Sequence, residues 1–271
     1  MKTAIETGKY WDRAWSLVEG CTKVSPGCDH CWLQGMNHRF HREGPVTFRA
    51  DRLELPLHVK KPTTWAIWSD LFHEAVTDEQ IMAAFDAMPT DMLQPCKHTY
   101  LILTKRAERM LEFFGKYTRF GTTPWPNVWL GVTAENQEQY DKRVWLLNQT
   151  PTAHRFISIE PMLSDIDMRL DENGRHPDYD WGIDWVIVGC ETGPKRRPCN
   201  LEWIRSIRDQ CKAAGVPLWV KGIEAPRMCG AYIGGTFLQH TNAIGPVHVS
   251  HNTAEWPEDL RIRQMPEGMK S

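Results

Sequence analysis

A short apolar run followed by an amphipathic helical pattern recurs along most of this chain, and this alternation constrains its fold more than any other feature. The runs are rich in Trp, Val and Ile and stand mostly about 25–35 residues apart, the length of one strand–helix unit. They are Trp15–Val18, Trp65–Trp68, Tyr100–Leu103, Val128–Val132, Arg155–Ile159, Trp185–Val188 and Leu218–Val220. Helical patterns occupy Asp29–Phe40, Asp78–Met88, Arg106–Phe114, Asn136–Leu147 and Leu201–Ala214. The alternation predicts an α/β fold with a parallel sheet, either open or curled into a barrel.

The alternation ends near residue 222, where Gly, His and Pro become frequent. We therefore expect two parts. Residues 1–221 are predicted to form the sheet and its helices, and residues 222–271 to form an irregular C-terminal extension that packs on or covers one end.

Charge and hydropathy exclude several classes of protein. The net charge is −2, so a nucleic acid would have to be held by a local basic patch and not by bulk charge. No stretch approaches the roughly 20 apolar residues that span a bilayer, and the polar start, 1–9, lacks a signal-peptide core. These features predict a cytoplasmic protein with no membrane partner.

Polar or charged residues follow almost every predicted strand. In parallel sheets and barrels the functional groups lie at the carboxyl ends of the strands, so these residues are expected on one rim. They are Ser69 and Asp70, Thr104 to Arg106, Thr133 with Glu135, Ser158 with Glu160, Gly189 with Glu191, and Lys221. One such residue alone is as well explained by a helix cap or a turn, whereas the set favours a site.

The eight cysteines form a cluster of three and a scattered set of five. Six residues separate Cys21 from Cys28, and two separate Cys28 from Cys31. Three thiolates suit an iron–sulfur cluster with one open iron, or zinc if His30, His38 or His41 supplies a fourth ligand. A third possibility is that the thiols only pack. The scattered cysteines are expected to be small buried hydrophobic residues.

Several motifs resemble a phage and prophage family that carries this three-cysteine segment and is itself similar to radical S-adenosylmethionine (SAM) enzymes. The similarity runs nearly end to end, although the first cysteine spacing is longer than is usual in that superfamily. The motifs are the segment from Gly20 to Cys31, Ser69-Asp70-Leu71-Phe72-His73, Leu103-Thr104-Lys105-Arg106, Trp129-Leu130-Gly131-Val132-Thr133, Ser158-Ile159-Glu160-Pro161, Trp185 to Gly189 with Glu191, and Asp259-Leu260-Arg261-Ile262-Arg263.

The resemblance implies a partial (β/α)6 barrel of the radical SAM type and two cofactors, a [4Fe-4S] cluster on Cys21, Cys28 and Cys31 and S-adenosylmethionine. It places His30 beside the adenine of the cofactor and Ser69 and Asp70 at its methionine amino group. Glu160 and Glu191 become candidates for the ribose hydroxyls or for a substrate amine, and hence the predicted catalytic residues.

The substrate implied by the resemblance is a modified thymidine in phage DNA, on which a glycyl group is moved from an N-linkage to a C-linkage. An electron donor such as a flavodoxin or ferredoxin is then a further partner. DNA repair or another base modification, and a non-catalytic zinc-stabilised nucleic-acid-binding protein, are the alternatives. The basic residues expected to contact the nucleic acid are Lys105, Arg106, Lys195, Arg196, Arg197 and Lys221, and exposed Trp such as Trp32 or Trp125 are candidates for base stacking.

Overall fold

The structure, a computed structural model, describes residues 7–39, 44–88, 97–117, 125–177, 182–193, 195–233 and 236–269, with only the backbone described between 226 and 247. The strands are β1 (Arg13–Trp15), β2 (Val18–Glu19), β3 (Thr47–Phe48), β4 (Thr63–Ile67), β5 (His98–Thr104), β6 (Val128–Thr133), β7 (His154–Ile159), β8 (Trp185–Gly189), β9 (Leu218–Ile233) and β10 (Thr236–Ser250). The α-helices are α1 (Trp32–Arg39), α2 (Asp78–Asp86), α3 (Ala107–Tyr117), α4 (Gln137–Gln149) and α5 (Leu201–Ala213).

The main sheet has eight strands in the order β1-β4-β5-β6-β7-β8-β9-β10. Every neighbouring pair is parallel except β9 and β10, which run antiparallel. Strands β2 and β3 form a separate antiparallel pair. The sheet curls into a half-barrel, so the prediction of an α/β fold with a parallel sheet is confirmed.

The two faces of the sheet bury different side chains because successive residues of a strand point to opposite sides. The convex face packs on the helices. Its residues Tyr100 and Val186 belong to the same buried cluster as the helix residues Phe113 and Ile207. The concave face holds a second cluster to which no helix contributes. It consists of Leu101, Trp129, Phe156, Trp185, Ile187, Trp219 and Met269.

Aromatic rings fill the amino-terminal half of the concave face, and small or polar residues occupy its carboxyl-terminal half. Phe156 lies flat over Gly131, where a Cβ atom would meet the ring at 2.5 Å. Beyond these rings, Ser158 and Gly189 face the same side, followed by Glu160 and Lys221. Room for a ligand on this face is therefore confined to the carboxyl end of the sheet.

Polar caps set where three of the helices begin. Thr77 and Gln80 form a reciprocal capping box at the start of α2, and the side chains of Asn136 and Asn200 accept backbone hydrogen bonds at the starts of α4 and α5. These caps direct the chain from the carboxyl end of one strand into the helix that returns it to the amino end of the next.

The predicted strand Trp15–Val18 is divided in the structure between β1 and β2. The connection from β7 to β8, for which no helical pattern is predicted, has no helix within 160–177 and 182–184, so the described part of the chain lacks one helix of a regular strand–helix repeat. The prediction of an irregular extension from residue 222 is wrong over most of its length. Strand β9 continues past residue 221 and pairs with β10 as a long hairpin whose register shifts twice.

None of the described helices is both long enough and apolar enough to cross a bilayer.

Candidate functional site

The cysteine segment, residues 20–31, follows β2 and crosses the carboxyl end of the main sheet. Residues Pro26–Cys28 form one turn of 3-10 helix, and α1 begins at Trp32, immediately after Cys31. Cys28 is buried, Cys21 and Cys31 are partly exposed, and all three thiols are free of disulfides. The predicted helix over 29–40 thus starts three residues later than expected, and Phe40 lies outside the described residues.

Arg106, at the end of β5, holds the start of this segment. Its guanidinium donates to the Thr22 hydroxyl at 2.7 Å and to the Thr22 carbonyl at 3.2 Å, and Nη1 lies 3.8 Å from Cys21 Sγ. The same guanidinium bonds Asp70 Oδ2 at 3.0 Å and Glu74 Oε1 at 2.8 Å. All five N–H groups of this buried guanidinium are therefore used. They fix the cysteine segment to the end of β5, and Asp70 and Glu74 hold the arginine in place.

Glu135, two residues beyond β6, holds the middle of the segment. The Gly27 N–H donates to Glu135 Oε1 at 3.0 Å, and Arg143 Nη1 donates to Oε2 at 2.8 Å. Burial raises the pKa of the Glu135 carboxyl, but Arg143, Ser25 and Gly27 lower it more, so the pKa lies below its ordinary value. A fully buried, ionised carboxylate therefore binds the backbone of the turn that precedes Cys28.

Glu191 and Arg197, in the loop after β8, hold the end of the segment. Arg197 Nη2 donates to the Pro26 carbonyl at 2.9 Å, and its Nε donates to Glu191 Oε2 at 3.0 Å. His30 Nδ1 also lies 3.0 Å from Glu191 Oε2. Burial raises the pKa of Glu191, yet the hydrogen bonds from Arg197 and His30 outweigh it and lower the pKa to about 2. The cysteine segment is therefore fastened to three strand ends.

A further ion pair, between Glu160 and Lys221, lies on the concave face. Lys221 Nζ is 2.7 and 2.8 Å from the two oxygens of Glu160, although their strands, β9 and β7, are separated by β8. The pair meets across Gly189 of β8, where an added Cβ would lie 3.5 Å from Lys221 Cβ and 3.6 Å from Glu160 Cγ. The absence of a side chain at Gly189 leaves the space through which the two charges meet.

These contacts correct several predicted roles. Arg106, only 5% exposed, and Arg197 spend their guanidinium donors within the protein and are not placed to bind phosphate. Lys221 is paired with Glu160. Glu191, also 5% exposed, is held by Arg197 and His30, so it is an anchor and not a free catalytic carboxylate.

Asp70 is corrected in the same way. It is buried and accepts hydrogen bonds from the Thr104 hydroxyl and from the N–H groups of Phe72 and Lys105, besides its ion pair with Arg106. A carboxylate offers about four acceptor positions, so none is left for the amino group of a cofactor. Asp70 therefore orients Arg106.

Other predicted residues lie where a ligand can reach them. Ser69 is half-buried and adopts a left-handed backbone conformation with φ of 64°, which is uncommon outside glycine and marks a constrained turn after β4. The His30 ring is 32% exposed. Lys195 is exposed and Lys105 partly so, while Arg196 Nε lies 3.7 Å from Glu224 Oε1.

The two tryptophans predicted to stack on a base have different surroundings. Trp32 follows Cys31 and makes an edge contact with Trp68, whose ring in turn contacts Trp11. Trp125 packs instead against Phe85 at 4.7 Å on the helix side of the sheet, so the proposed stacking role for Trp125 is corrected to core packing.

The cysteine segment has the donor set for a metal cluster, since three soft thiols lie within one short stretch and none is oxidised. Among the described residues, however, no three Cys, His, Asp or Glu side chains come together as a group that could hold a metal ion. The three thiols therefore fit an iron–sulfur cluster by their chemistry, while the described residues do not gather them as ligands around one point. Of the predicted zinc ligands, His30 contacts Glu191, and His41 lies outside the described residues.

Sequence reasoning missed the roles of Glu135 and Arg143. Glu135 follows a strand and belongs to the predicted rim, but its partner Gly27 is 108 residues away. Among the scattered cysteines, Cys190, Cys199 and Cys211 are buried as predicted. Cys96 lies outside the described residues, and nothing is described of the side chain of Cys229.

Comparison with protein families gives a match over most of the chain. The sequence model of a family described as "Protein of unknown function (DUF5131)" matches residues 2–229, which is most of the chain. No curated protein matches the chain, and no solved structure does.

Proposed function

The chain belongs to the DUF5131 family, and for this member we propose the function of a radical SAM enzyme that acts on a nucleic acid. One observation carries the proposal. A segment with three free thiols follows the first strand of a curled parallel sheet and is anchored by buried charges to the carboxyl ends of three further strands. Under this proposal the half-barrel is a partial (β/α)6 barrel of the radical SAM type.

Cys21, Cys28 and Cys31 are the residues that would hold a [4Fe-4S] cluster. Together with S-adenosylmethionine, such a cluster supplies the electron that cleaves the sulfonium and so provides a radical able to abstract hydrogen. Zinc on the same segment is the alternative and would make the protein a non-catalytic nucleic-acid-binding protein.

The protein's own contribution is to fix the segment and to keep the site dry. Arg106, Glu135 and Arg197 each hold backbone or side-chain atoms between Thr22 and Gly27, so the segment is ordered before any cofactor binds. The aromatic rings on the concave face exclude water beneath the site. His30 and Ser69 remain as the residues that contact S-adenosylmethionine.

The specific reaction we propose is the transfer of a glycyl group on thymidine in phage DNA from an N-linkage to a C-linkage. The α-C–H of glycine resists polar bases but gives a stabilised radical, which suits hydrogen abstraction. Glu160 lies on the concave face, 18% exposed, and is the carboxylate that would accept a hydrogen bond from the substrate amine. DNA repair, or another base modification by the same cofactor, is the second candidate.

DNA contacts are assigned to two lysines on the rim, Lys105 and Lys195, and not to Arg196, which is paired with Glu224. We also infer a cytoplasmic site of action and an electron donor of the flavodoxin or ferredoxin type. Trp32, 46% exposed and adjacent to Cys31, is the aromatic side chain available to stack on a base.

Anaerobic purification tests the first step of the proposal. A brown protein with about four irons per chain is expected, whereas a colourless protein with one zinc would establish the alternative. The reduced protein is then incubated with S-adenosylmethionine and glycyl-thymidine DNA. Formation of 5′-deoxyadenosine together with a C-linked product supports the isomerase, and 5′-deoxyadenosine with unchanged DNA would retain radical chemistry and reject that substrate.

A further inference from the structure

The Glu160–Lys221 pair is unusual among the charged groups of the site because it anchors no part of the cysteine segment. The ion pairs of Arg106, Arg143 and Arg197 all connect to that segment directly or through one residue. The hydrogen bonds described for Lys221 Nζ go to Glu160, and Tyr10 lies near enough to interact with both charges electrostatically. The pair thus has no structural partner that explains its place on the concave face.

Both members of the pair retain hydrogen-bonding capacity. An ammonium group has three donors and a carboxylate about four acceptor positions, and the contacts described use only part of each. Glu160 is 18% exposed and Lys221 31% exposed, so a ligand can reach both. A ligand with both an ammonium and a carboxylate group would satisfy both.

The strand that carries Lys221 also holds a buried donor without a described acceptor. Trp219 lies two residues before Lys221 on the same face of β9, is fully buried, and has an indole N–H with no acceptor among the described residues. Tyr10 packs edge-on against Trp219, with ring centroids 6.0 Å apart. A buried donor left without an acceptor is rare in folded proteins and calls for a ligand or an ordered water.

We propose that Glu160 and Lys221 form a recognition site for an α-amino-acid group, in which Glu160 binds the ammonium and Lys221 the carboxylate. This inference rests on the proposed function, because the amino acid is taken to be the one attached to the modified base. Lys221 is then a residue that determines substrate specificity, in place of the phosphate contact predicted from the sequence.

The amino-acid end of S-adenosylmethionine has the same chemistry as an amino acid on the base, so the experiment must separate the two sources. The full-length protein, purified anaerobically, is titrated by calorimetry with three probes. These are glycyl-thymidine nucleoside, its analogue without the carboxylate (5-methylaminomethyl-deoxyuridine), and S-adenosylmethionine.

The wild-type protein is expected to bind glycyl-thymidine about 10- to 100-fold more tightly than the decarboxylated analogue. Lys221→Met should abolish this preference and leave the affinity for S-adenosylmethionine unchanged. The matched control is Lys142→Met, which breaks the ion pair of Lys142 with Glu108 at 2.9 Å on the helical surface and should leave both affinities unchanged.

The reversed pair, Glu160→Lys with Lys221→Glu, guards against misfolding, since it keeps an ion pair in place. It should fold and still lose the preference for the carboxylate, because the two charges have exchanged strands. An undiminished preference in Lys221→Met would overturn the inference, and so would a loss of affinity confined to S-adenosylmethionine. Failure of the proposed function is seen separately, in the iron content of the same preparation.

Discussion

Arg106 bonds Asp70 at 3.0 Å with both side chains buried, and the same guanidinium reaches Cys21 Sγ at 3.8 Å. Two strand ends and the cysteine segment are thus joined through one side chain. Burial by itself lowers the pKa of Arg106, but Glu74 and Asp70 raise it by more. The pKa therefore lies above its ordinary value, and the arginine stays charged throughout the accessible pH range. Several predictions depend on this connection and its counterparts along the rim.

Replacing Arg106 with Met is expected to reduce the free energy of unfolding by about 3–5 kcal/mol, because Asp70 is left charged and unpaired in the interior. Urea unfolding followed by circular dichroism measures the loss. Adding Asp70→Asn to the variant should recover part of the lost free energy, since the unpaired charge is then removed. A loss below about 1 kcal/mol for the single variant would show that the pair contributes little to stability.

Gly27→Ala should loosen the turn before Cys28. Its Cβ would lie 2.8 Å from Glu135 Cδ, too close for any real contact, so the buried carboxylate must move, at about 1–3 kcal/mol. Gly35→Ala is the matched control, because nothing lies within 4 Å of a Cβ at that helical position. The control should be as stable as the wild type or up to about 1 kcal/mol more stable. If Gly27→Ala and Gly35→Ala changed the free energy of unfolding equally, in thermal and in urea unfolding, the predicted contact would be refuted.

Glu191 predicts an acid-dependent loss of stability. Its pKa is lowered in the folded protein to about 2 from an ordinary value of 4.5, so its stabilising contribution is present above about pH 4.5 and disappears as the pH falls towards 2. The contribution is roughly 2–3 kcal/mol. Glu191→Gln should therefore show a shallower decline in unfolding free energy than the wild type over this range. Parallel pH profiles for the two proteins would contradict the assignment.

Cys28→Ala should abolish iron retention and leave the half-barrel folded, since the segment lies outside the two hydrophobic cores of the sheet. Iron content after anaerobic reconstitution and the far-ultraviolet circular dichroism spectrum test the two halves of the prediction. Cys211→Ala removes a buried thiol on α5 and should retain its iron. Global unfolding of Cys28→Ala would instead assign the thiols a structural role.

Lys195→Ala should weaken DNA binding at low salt and reduce the slope of log K against log salt concentration by about one phosphate contact. The exposed Lys195 follows β8 on the same rim as the cysteine segment. Lys212→Ala is the matched control, because Lys212 is equally exposed but lies at the end of α5, near the amino end of β9. An unchanged slope for Lys195→Ala would remove this residue from the DNA contacts.

Strand positions were predictable from the sequence because burial on both faces leaves continuous apolar runs, as in Val128–Thr133, where every residue is buried. The hairpin of β9 and β10 was not predictable from the sequence. Its residues include Gly and Pro and show no clear alternation, so the pairing in the structure depends on extension of a strand that the sheet has already placed.

The sequence predicts where the residues of the site lie but not what each of them binds. That Arg106, Asp70 and Glu191 follow strands was evident from the sequence, and all three lie on the predicted rim. Whether each charge faces a ligand or the protein depends on partners far along the chain, such as Thr22, 84 residues from Arg106. Single-sequence patterns hold no information on such pairs, so the sequence alone does not distinguish residues that anchor the segment from residues that bind a ligand.

The aromatic residues at the base of the half-barrel bear on the order of binding. Trp129, Phe156, Trp185 and Trp219 close the concave face at the amino-terminal end of the sheet. Under the proposed function, both ligands would therefore enter beside the cysteine segment, and the ligand in the deeper position would bind first and leave last. The shape of the site would set this order independently of the affinity for either ligand.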